Sequence, residues 1–536
     1  MTRWESEVDV IIIGCGPVGA AAANLLGSHG IRTLVLERDA EPHGMSRAIS
    51  CDDESMRLFQ RLGLASELRR DMETGSEVRF TNASGKTFAN IHIGKVDFGM
   101  GHPSLLFYHQ GTMERTLRAG LSRFPEVELR LGVEVTGIDQ DESGVTVTAR
   151  DHVAGKDIRV RARYALACDG GRSEARRIAG IKLRGSRSEP WLTVTARLLP
   201  GQEPLPTRFI CDPRGPCFLA FIPPNFQRWE LMLRPGDDLA AMEAPENVRA
   251  MIAPYIDPAR VTIVRAAVYT FQNVVASTWR KGRLLLLGDA AHMIPPFMGQ
   301  GLCSGFRDAS NLAWKLVQVL RGATPELLDT YESERRPHIE QMARVSTMLG
   351  RIFMARDPRI AFARDNLLLL LDRIPRVRRF IRDFEFKPLP AVERGFMTGG
   401  KRRSRSAPEG TMLLQPEVLD GAGRRVLLDE LLGQGFAVIG MDVDPRIAAP
   451  GGARRFWERL GTTFIEIRRA SGRIEARDDG RLLAVDVDGK LEAWFARAGA
   501  RLAVVRPDRF VFAAGSAERG PAMMSELRSA LGVDWS

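Results

Sequence analysis

The sequence predicts an α/β protein: a Rossmann-like nucleotide-binding domain interrupted by an antiparallel sheet, with a further α/β unit at the C-terminal end. Three observations carry this. Val8–Ile13 is a β-branched run that leads straight into the glycine-rich turn Gly14-Cys15-Gly16-Pro17-Val18-Gly19 and a helical Ala20–Gly30. Strand-like alternation at Arg228–Leu233 and Val261–Tyr269 is broken by Pro/Gly turns at 213–216, 223–224 and 235–236. Beyond residue 411, strand-like and helix-like stretches alternate again.

In chain order, Val8–Ile13 reads as a parallel strand covered on both faces, because it is apolar throughout rather than alternating. Thr33–Glu37 is a second such strand and completes a βαβ unit. Residues 76–104 and 181–275 read as the inserted antiparallel domain. The first domain then comprises 1–75, 105–180 and 276–395, re-entered through the strand Arg283–Leu287 and a long helical region from Gly301 to about Val345. Residues 396–411 have linker composition. The last unit, 412–536, offers strands at Phe436–Met441, Thr463–Ile467 and Leu502–Val505 and helices at Arg454–Leu460 and Leu491–Ala498. No internal repeat is present.

A chain of 536 residues, 44% hydrophobic and 26% charged, has material for two to four packed domains. The net charge is +10, but the arginines are dispersed. The one dense basic group, Lys401, Arg402, Arg403 and Arg405, falls in the linker, so nucleic acid is not an expected partner. The six cysteines form no C-x-x-C pair and no metal-ligand spacing, so no metal is expected and a reducing, cytoplasmic setting fits. Met1–Glu7 has no signal-peptide pattern, and Leu284–Leu287 and Leu367–Leu371 are too short to span a bilayer.

The chemistry lies in three motifs. In the first, Gly14, Gly16 and Gly19 permit a tight turn and close approach of a pyrophosphate, and the helix opened by Pro17 and Val18 offers free N–H groups. Glu37, with Arg38 beside it, closes the next strand where a ribose diol would be met. The second motif is Cys168-Asp169-Gly170-Gly171-Arg172-Ser173 after the apolar Tyr164–Ala167. The third is Gly288-Asp289-Ala290-Ala291-His292, followed by Pro295-Pro296 and Met298-Gly299-Gln300-Gly301.

In this order and at these separations the three motifs resemble the class A flavoprotein monooxygenases, relatives of para-hydroxybenzoate and phenol hydroxylases. Ser46-Arg47-Ala48-Ile49, Asp52-Asp53-Glu54, Leu121-Ser122-Arg123-Phe124-Pro125, Phe386-Lys387-Pro388 and Arg506-Pro507-Asp508-Arg509-Phe510-Val511 resemble the 3-(3-hydroxyphenyl)propionate hydroxylase branch. The resemblance implies FAD as cofactor and NADH or NADPH as a transient electron donor. It places Asp169 and Gly170 where flavin and donor pass, Asp289 on the ribityl chain, and Arg47 on the pyrophosphate. Gln110 falls near the cofactor's sugar region, and Gly288, Pro296, Gly299, Gln300, Gly301 and Leu302 lie along the flavin. Many family members carry Asn at the position of Cys303, so a side-chain amide contact is in doubt here.

The implied reaction is ortho-hydroxylation of a small phenol to a catechol by O2 through a flavin hydroperoxide, with water excluded. The alternatives are another phenol, a polyketide-type substrate on the same fold, or a flavin-binding sensor. Asp52, His292 and Tyr269 are the candidates for moving protons, though a helix-cap aspartate and a core imidazole explain the first two equally well. Phe221, Tyr269 and Phe271 are candidates for a cover over the ring. The C-terminal unit resembles the thioredoxin-like domain of phenol hydroxylase relatives, but no cysteine follows Cys303, which leaves it a structural or homodimer-contact role.

Overall fold

Val8, Val10, Ile11, Ile12 and Ile13 are all buried, so Glu7–Ile13 (β1) is a central strand rather than an edge. Gly14 follows at φ +94°, and a Cβ there would stand 2.7 Å from the Cys168 carbonyl oxygen. Pro17 then opens α1 (Pro17–Gly27), where its missing N–H costs no helical hydrogen bond. The chain continues through β2 (Thr33–Glu37), α2 (Asp53–Arg61), α3 (Gln110–Ala119), β3 (Lys156–Ala167) and β4 (Leu183–Leu198). There follow β5 (Cys217–Ile222), β6 (Phe226–Met232), β7 (Val261–Ala276), β8 (Leu284–Leu286), α4 (Gly301–Leu320) and α5 (Asp329–Phe353). This computed structural model describes residues 7–41, 47–449, 454–470 and 482–533. The expected helix Arg454–Leu460 is Arg454–Arg459; Ser46 and Met1–Ser6 lie outside the described residues.

Among the described residues, two eight-stranded sheets and a small three-stranded one (Ser50–Cys51, Leu106–Tyr108 and Met72–Thr74) make up the body. In the first, β8, β3, β1 and β2 run parallel, with Val127–Leu131 beyond β2. The long β3 also carries an antiparallel extension, Val145–Asp151 and then Val133–Gln140, which the sequence pattern had not separated from the nucleotide-binding core. In the second sheet, β7, β4, β6 and β5 are antiparallel neighbours. Arg208–Ile210, Val78–Thr81 and Thr87–Ile91 extend it. The expected helix from Gly301 is two helices, α4 and α5, because Gly322 turns at φ +106° and Pro325 begins a new short turn. Two further helices, Pro358–Leu371 and Pro375–Arg382, follow.

A separate sheet of seven strands forms the C-terminal unit, with Ala437–Met441, Thr463–Arg469 and Leu482–Asp486 parallel at its centre. It is fastened to the body by buried ions. Arg506 pairs with Glu334 of α5 at 2.7 Å, and Lys315 of α4 reaches the same carboxylate at 2.9 Å. Arg57 of α2 grips Asp429 at 2.7 Å, and Arg509 joins it at 3.1 Å. Residues 396–411 are packed at their ends: buried Phe396 donates its N–H to Glu334, while Gly410 donates to Val511. Among the described residues, no helix is long and apolar enough to cross a membrane.

Candidate active site

The glycine-rich turn is held from three sides. The Cys15 N–H donates to Glu37 at 2.7 Å, Arg118 of α3 donates to the Cys15 carbonyl at 2.9 Å, and Gly14 donates to the Leu36 carbonyl. Glu37, expected at a ribose, thus also fixes the turn, and its second oxygen accepts from the Asp39 N–H. Gly19 is required by packing, since a Cβ there would fall 2.0 Å from the Gly14 carbonyl oxygen. Gly16 is different. Its φ of −67° suits any residue, yet a Cβ there would meet nothing within 4 Å, and no side chain caps α1. Open space therefore lies before a helix N-terminus whose N–H groups and dipole favour an anion.

The other motifs gather around this space. Gly14 approaches the backbone of Cys168 and Asp169, and Val18 nests against Gly288 and Gly305. Asp169 accepts from the Ser173 hydroxyl and the Ala175 N–H, so it shapes the turn before the helix Glu174–Ile178. A Cβ at Gly170 or Gly301 would also meet nothing within 4 Å. Asp289, half-buried, stands on the turn Gly288–Ala290, where burial raises its carboxyl pKa against the opposing charges of Arg47 and His292. Gln110 at the start of α3 accepts from the Arg47 and Ala48 N–H groups at 2.8 and 2.9 Å and donates to Glu114. Pro296 opens the turn Pro296–Met298, Gly299 turns at φ +65°, and Gln300 precedes α4, which again has no side-chain cap. Leu302 is half-buried against the main core, and Arg38 is exposed beside Asp39.

Cys303 is buried and its thiol faces the Gly299 carbonyl at 3.8 Å, with burial pushing its pKa up to about 12. It packs the loop as a neutral group. Two of the candidates for proton movement are tied elsewhere. Asp52 caps α2 through Ser55 and is buried between Arg307 and Lys387; burial would raise its carboxyl, but those two cations hold it far below the usual range. His292 lies against Trp279 with Nε2 2.6 Å from Asp308, which also accepts from the Gly288 N–H and from Arg335. Tyr269 alone of the three stands on the face of β7 that looks toward the 295–301 loop. Phe271 shares that face, whereas Phe221 packs on the opposite one, because successive strand residues alternate sides. Sequence reasoning missed Arg118, Glu114, Asp308 and Arg307; they are isolated charges on helices, without a motif to mark them.

The FAD binding domain family matches residues 7–346, and the HcaD C-terminal domain family matches residues 410–530. The chain is 40% identical over 517 residues to the 3-(3-hydroxy-phenyl)propionate/3-hydroxycinnamic acid hydroxylase of Burkholderia cenocepacia, covering 95% of this chain and 94% of the relative. The chain belongs to the FAD-dependent aromatic hydroxylases. A similarly named hydroxylase of Mycolicibacterium smegmatis is 36% identical over 97% of this chain and 92% of its own. Among solved structures, the anhydrotetracycline hydroxylase OxyS from Streptomyces rimosus superimposes with a TM-score of 0.76 at 26% identity over 98% of this chain and 99% of its own. The flavin-dependent monooxygenase PieE shares the fold, with a TM-score of 0.81 at 22% identity over 98% and 99% of the two chains.

The residues of this hydroxylase fit the dinucleotide. The open cradle at Gly16, Gly170 and Gly301, two uncapped helix N-termini and the acid Asp289 on the adjoining Gly288–Ala290 turn are the donors, acceptor and spaces such a ligand requires. Gln110→Ala should loosen the Arg47–Ala48 segment by removing the acceptor of two backbone N–H groups. We expect a loss of about 1–2 kcal/mol in FAD affinity, read as a rise in the dissociation constant of about 5- to 30-fold by fluorescence titration.

Proposed function

We propose that this chain uses FAD and NADH or NADPH to hydroxylate a 3-(3-hydroxyphenyl)propionate-like phenol at the position ortho to its hydroxyl, giving a catechol. The observation that carries the proposal is the likeness to hydroxylases so named, unbroken across nucleotide-binding, inserted and C-terminal parts. In this reading Gly16 and the α1 N-terminus receive the pyrophosphate with Arg47, Glu37 takes the ribose, Asp289 takes the ribityl hydroxyls, and the α4 N-terminus faces the flavin across Gly299–Gly301. Asp169 and Gly170 border the path of the nicotinamide donor.

Bound flavin supplies the electron transfer and the activation of oxygen. The protein's own share is a dry, aromatic compartment: Trp191 of β4 lies 5.9 Å from Phe271 and 6.0 Å from Phe297, which stands in the loop before Gly299. Such walls align a flat substrate and exclude water. With Asp52 held in a buried ion pair and His292 in a buried hydrogen bond to Asp308, Tyr269 is the candidate left to meet a substrate hydroxyl or carboxylate. Residues 412–536, read as a thioredoxin-like domain without cysteines, act structurally.

The test is turnover of 3-(3-hydroxyphenyl)propionate with NADH or NADPH under labelled oxygen, read by mass spectrometry. We expect one labelled atom in a 2,3-dihydroxyphenyl product. Efficient labelling of a polycyclic or uncharged phenol, with none of the propionate, would overturn the substrate.

A further inference from the structure

Strand register fixes which side chains share the inner face of the second sheet. Across β4, Trp191, Thr193 and Thr195 stand opposite Tyr269, Ala267 and Arg265 of β7 on one side, and opposite Met232, Glu230 and Arg228 of β6 on the other. Directly opposed residues point the same way. This is the face that meets the cofactor domain: Ala220 and Ile222 of β5 pack with Ile49 and Phe107, and Arg228 donates to the Arg47 carbonyl. The other face, with Leu192, Val194 and Ala196, packs on the helix Pro245–Ile252.

Three arginines occupy the inner face, in three different conditions. Arg228 is buried and pairs with Glu230 at 3.2 Å. Arg197 is exposed and lies over the ring of Phe226. Arg265 is half-buried, donates to the Tyr269 hydroxyl and lies 5.5 Å from the centre of that ring, and among the described residues it has no carboxylate partner. Residues 265, 267 and 269 line one face of β7, so the Arg265–Tyr269 bond spans Ala267, whose small side chain leaves room above it. Beside Ala267, on β4, sits Thr193. It is 4% exposed, and among the described residues its hydroxyl has no hydrogen-bond partner. A buried hydroxyl without a partner is costly unless a ligand supplies one.

The geometry points to a carboxylate-binding site made by Arg265, Thr193 and Tyr269, which anchors the acidic side chain of the substrate. The assignment rests on the substrate reading above. Arg208 and Arg234, two other arginines of the inserted domain, do not share this placement: Arg208 is opposite Leu219 on the outer face, and Arg234 is exposed. Arg228 is already neutralised and Arg197 is exposed, so among the described residues Arg265 is the partly buried arginine of this stretch left to meet one carboxylate.

The experiment compares kcat/KM for 3-(3-hydroxyphenyl)propionate with that for its uncharged amide, in FAD-loaded full-length protein. Arg265→Met should lower the acid-to-amide ratio by about 10- to 100-fold, the range for loss of a hydrogen bond to a charged group. Arg265→Lys should restore part of it, keeping the charge without the fork. Thr193→Val, nearly isosteric, should lower the ratio by about 5-fold. A ratio within about twofold of wild type in Thr193→Val and in an FAD-loaded Arg265→Met overturns the site; if Arg265→Met does not hold FAD, the Thr193→Val ratio decides alone. A wild-type enzyme that oxidises neither compound, or prefers the amide, instead overturns the substrate reading, and that result is visible before any variant is made.

Discussion

A valine at position 16 will leave the protein folded but colourless. Gly16 sits at φ −67° and ψ −176°, which valine adopts freely, and a Cβ there meets no atom of the described residues within 4 Å. The added methyls would instead occupy the space before the α1 N-terminus that a pyrophosphate needs. We expect the FAD dissociation constant to rise more than about 100-fold, or about 3 kcal/mol, with circular dichroism unchanged. Gly19→Ala is the contrasting variant. Its Cβ would fall 2.0 Å from a backbone oxygen, so it should lose both cofactor and fold. A yellow Gly16→Val protein with wild-type affinity would remove the cofactor from this place.

Arg506→Met should be the most damaging single change away from the cleft. The guanidinium is completely buried and bonds Glu334 through both terminal nitrogens, while its Nε meets Asp508 at 2.9 Å. Removing it strands two carboxylates in the interior with Lys315 as the remaining cation, a loss of about 3–5 kcal/mol. Thermal unfolding should show it, and a chain truncated near Arg405, which loses Arg506 with the rest of the unit, should be at least as unstable. The same group sets an acid limit. Burial would raise the Glu334 carboxyl, but Arg506 and Lys315 hold it down to about 2 from 4.5. A depressed carboxylate stabilises the fold above its unfolded pKa, so this contribution is present above about pH 4.5 and disappears as pH falls toward 2. In Arg506→Met that part of the acid transition should vanish; an unchanged profile and melting temperature would refute the network's role.

Four of the five segments that carried the branch resemblance, all but the one with Arg47, are architectural. Lys387 lies 3.4 Å from Asp52 and Asp53, Arg123 donates to the Leu62 carbonyl and to Asn24, and Arg506 and Arg509 fasten the C-terminal unit. They mark how the chain is assembled, and none lies on the inner face of the second sheet.

From the sequence alone came the β1–turn–α1 unit, the three motifs in order, the antiparallel insertion and the FAD chemistry. These are legible because they depend on local rules: strand burial, the positive φ of Gly14, proline at a helix start, and glycine where no side chain fits. Tertiary structure decided the fates of the charges. Asp52 and His292 read as plausible proton carriers until Arg307 and Asp308, 255 and 16 residues away, were found bonded to them. Phe221 and Phe271 looked alike until strand alternation put them on opposite faces. Arg265 carried no signal at all, because its surroundings come from register with β4, about 70 residues earlier in the chain. A charge's role depends on which distant carboxylate or hydroxyl packing brings beside it, and in a low-dielectric interior that neighbour sets both its energy and its chemistry.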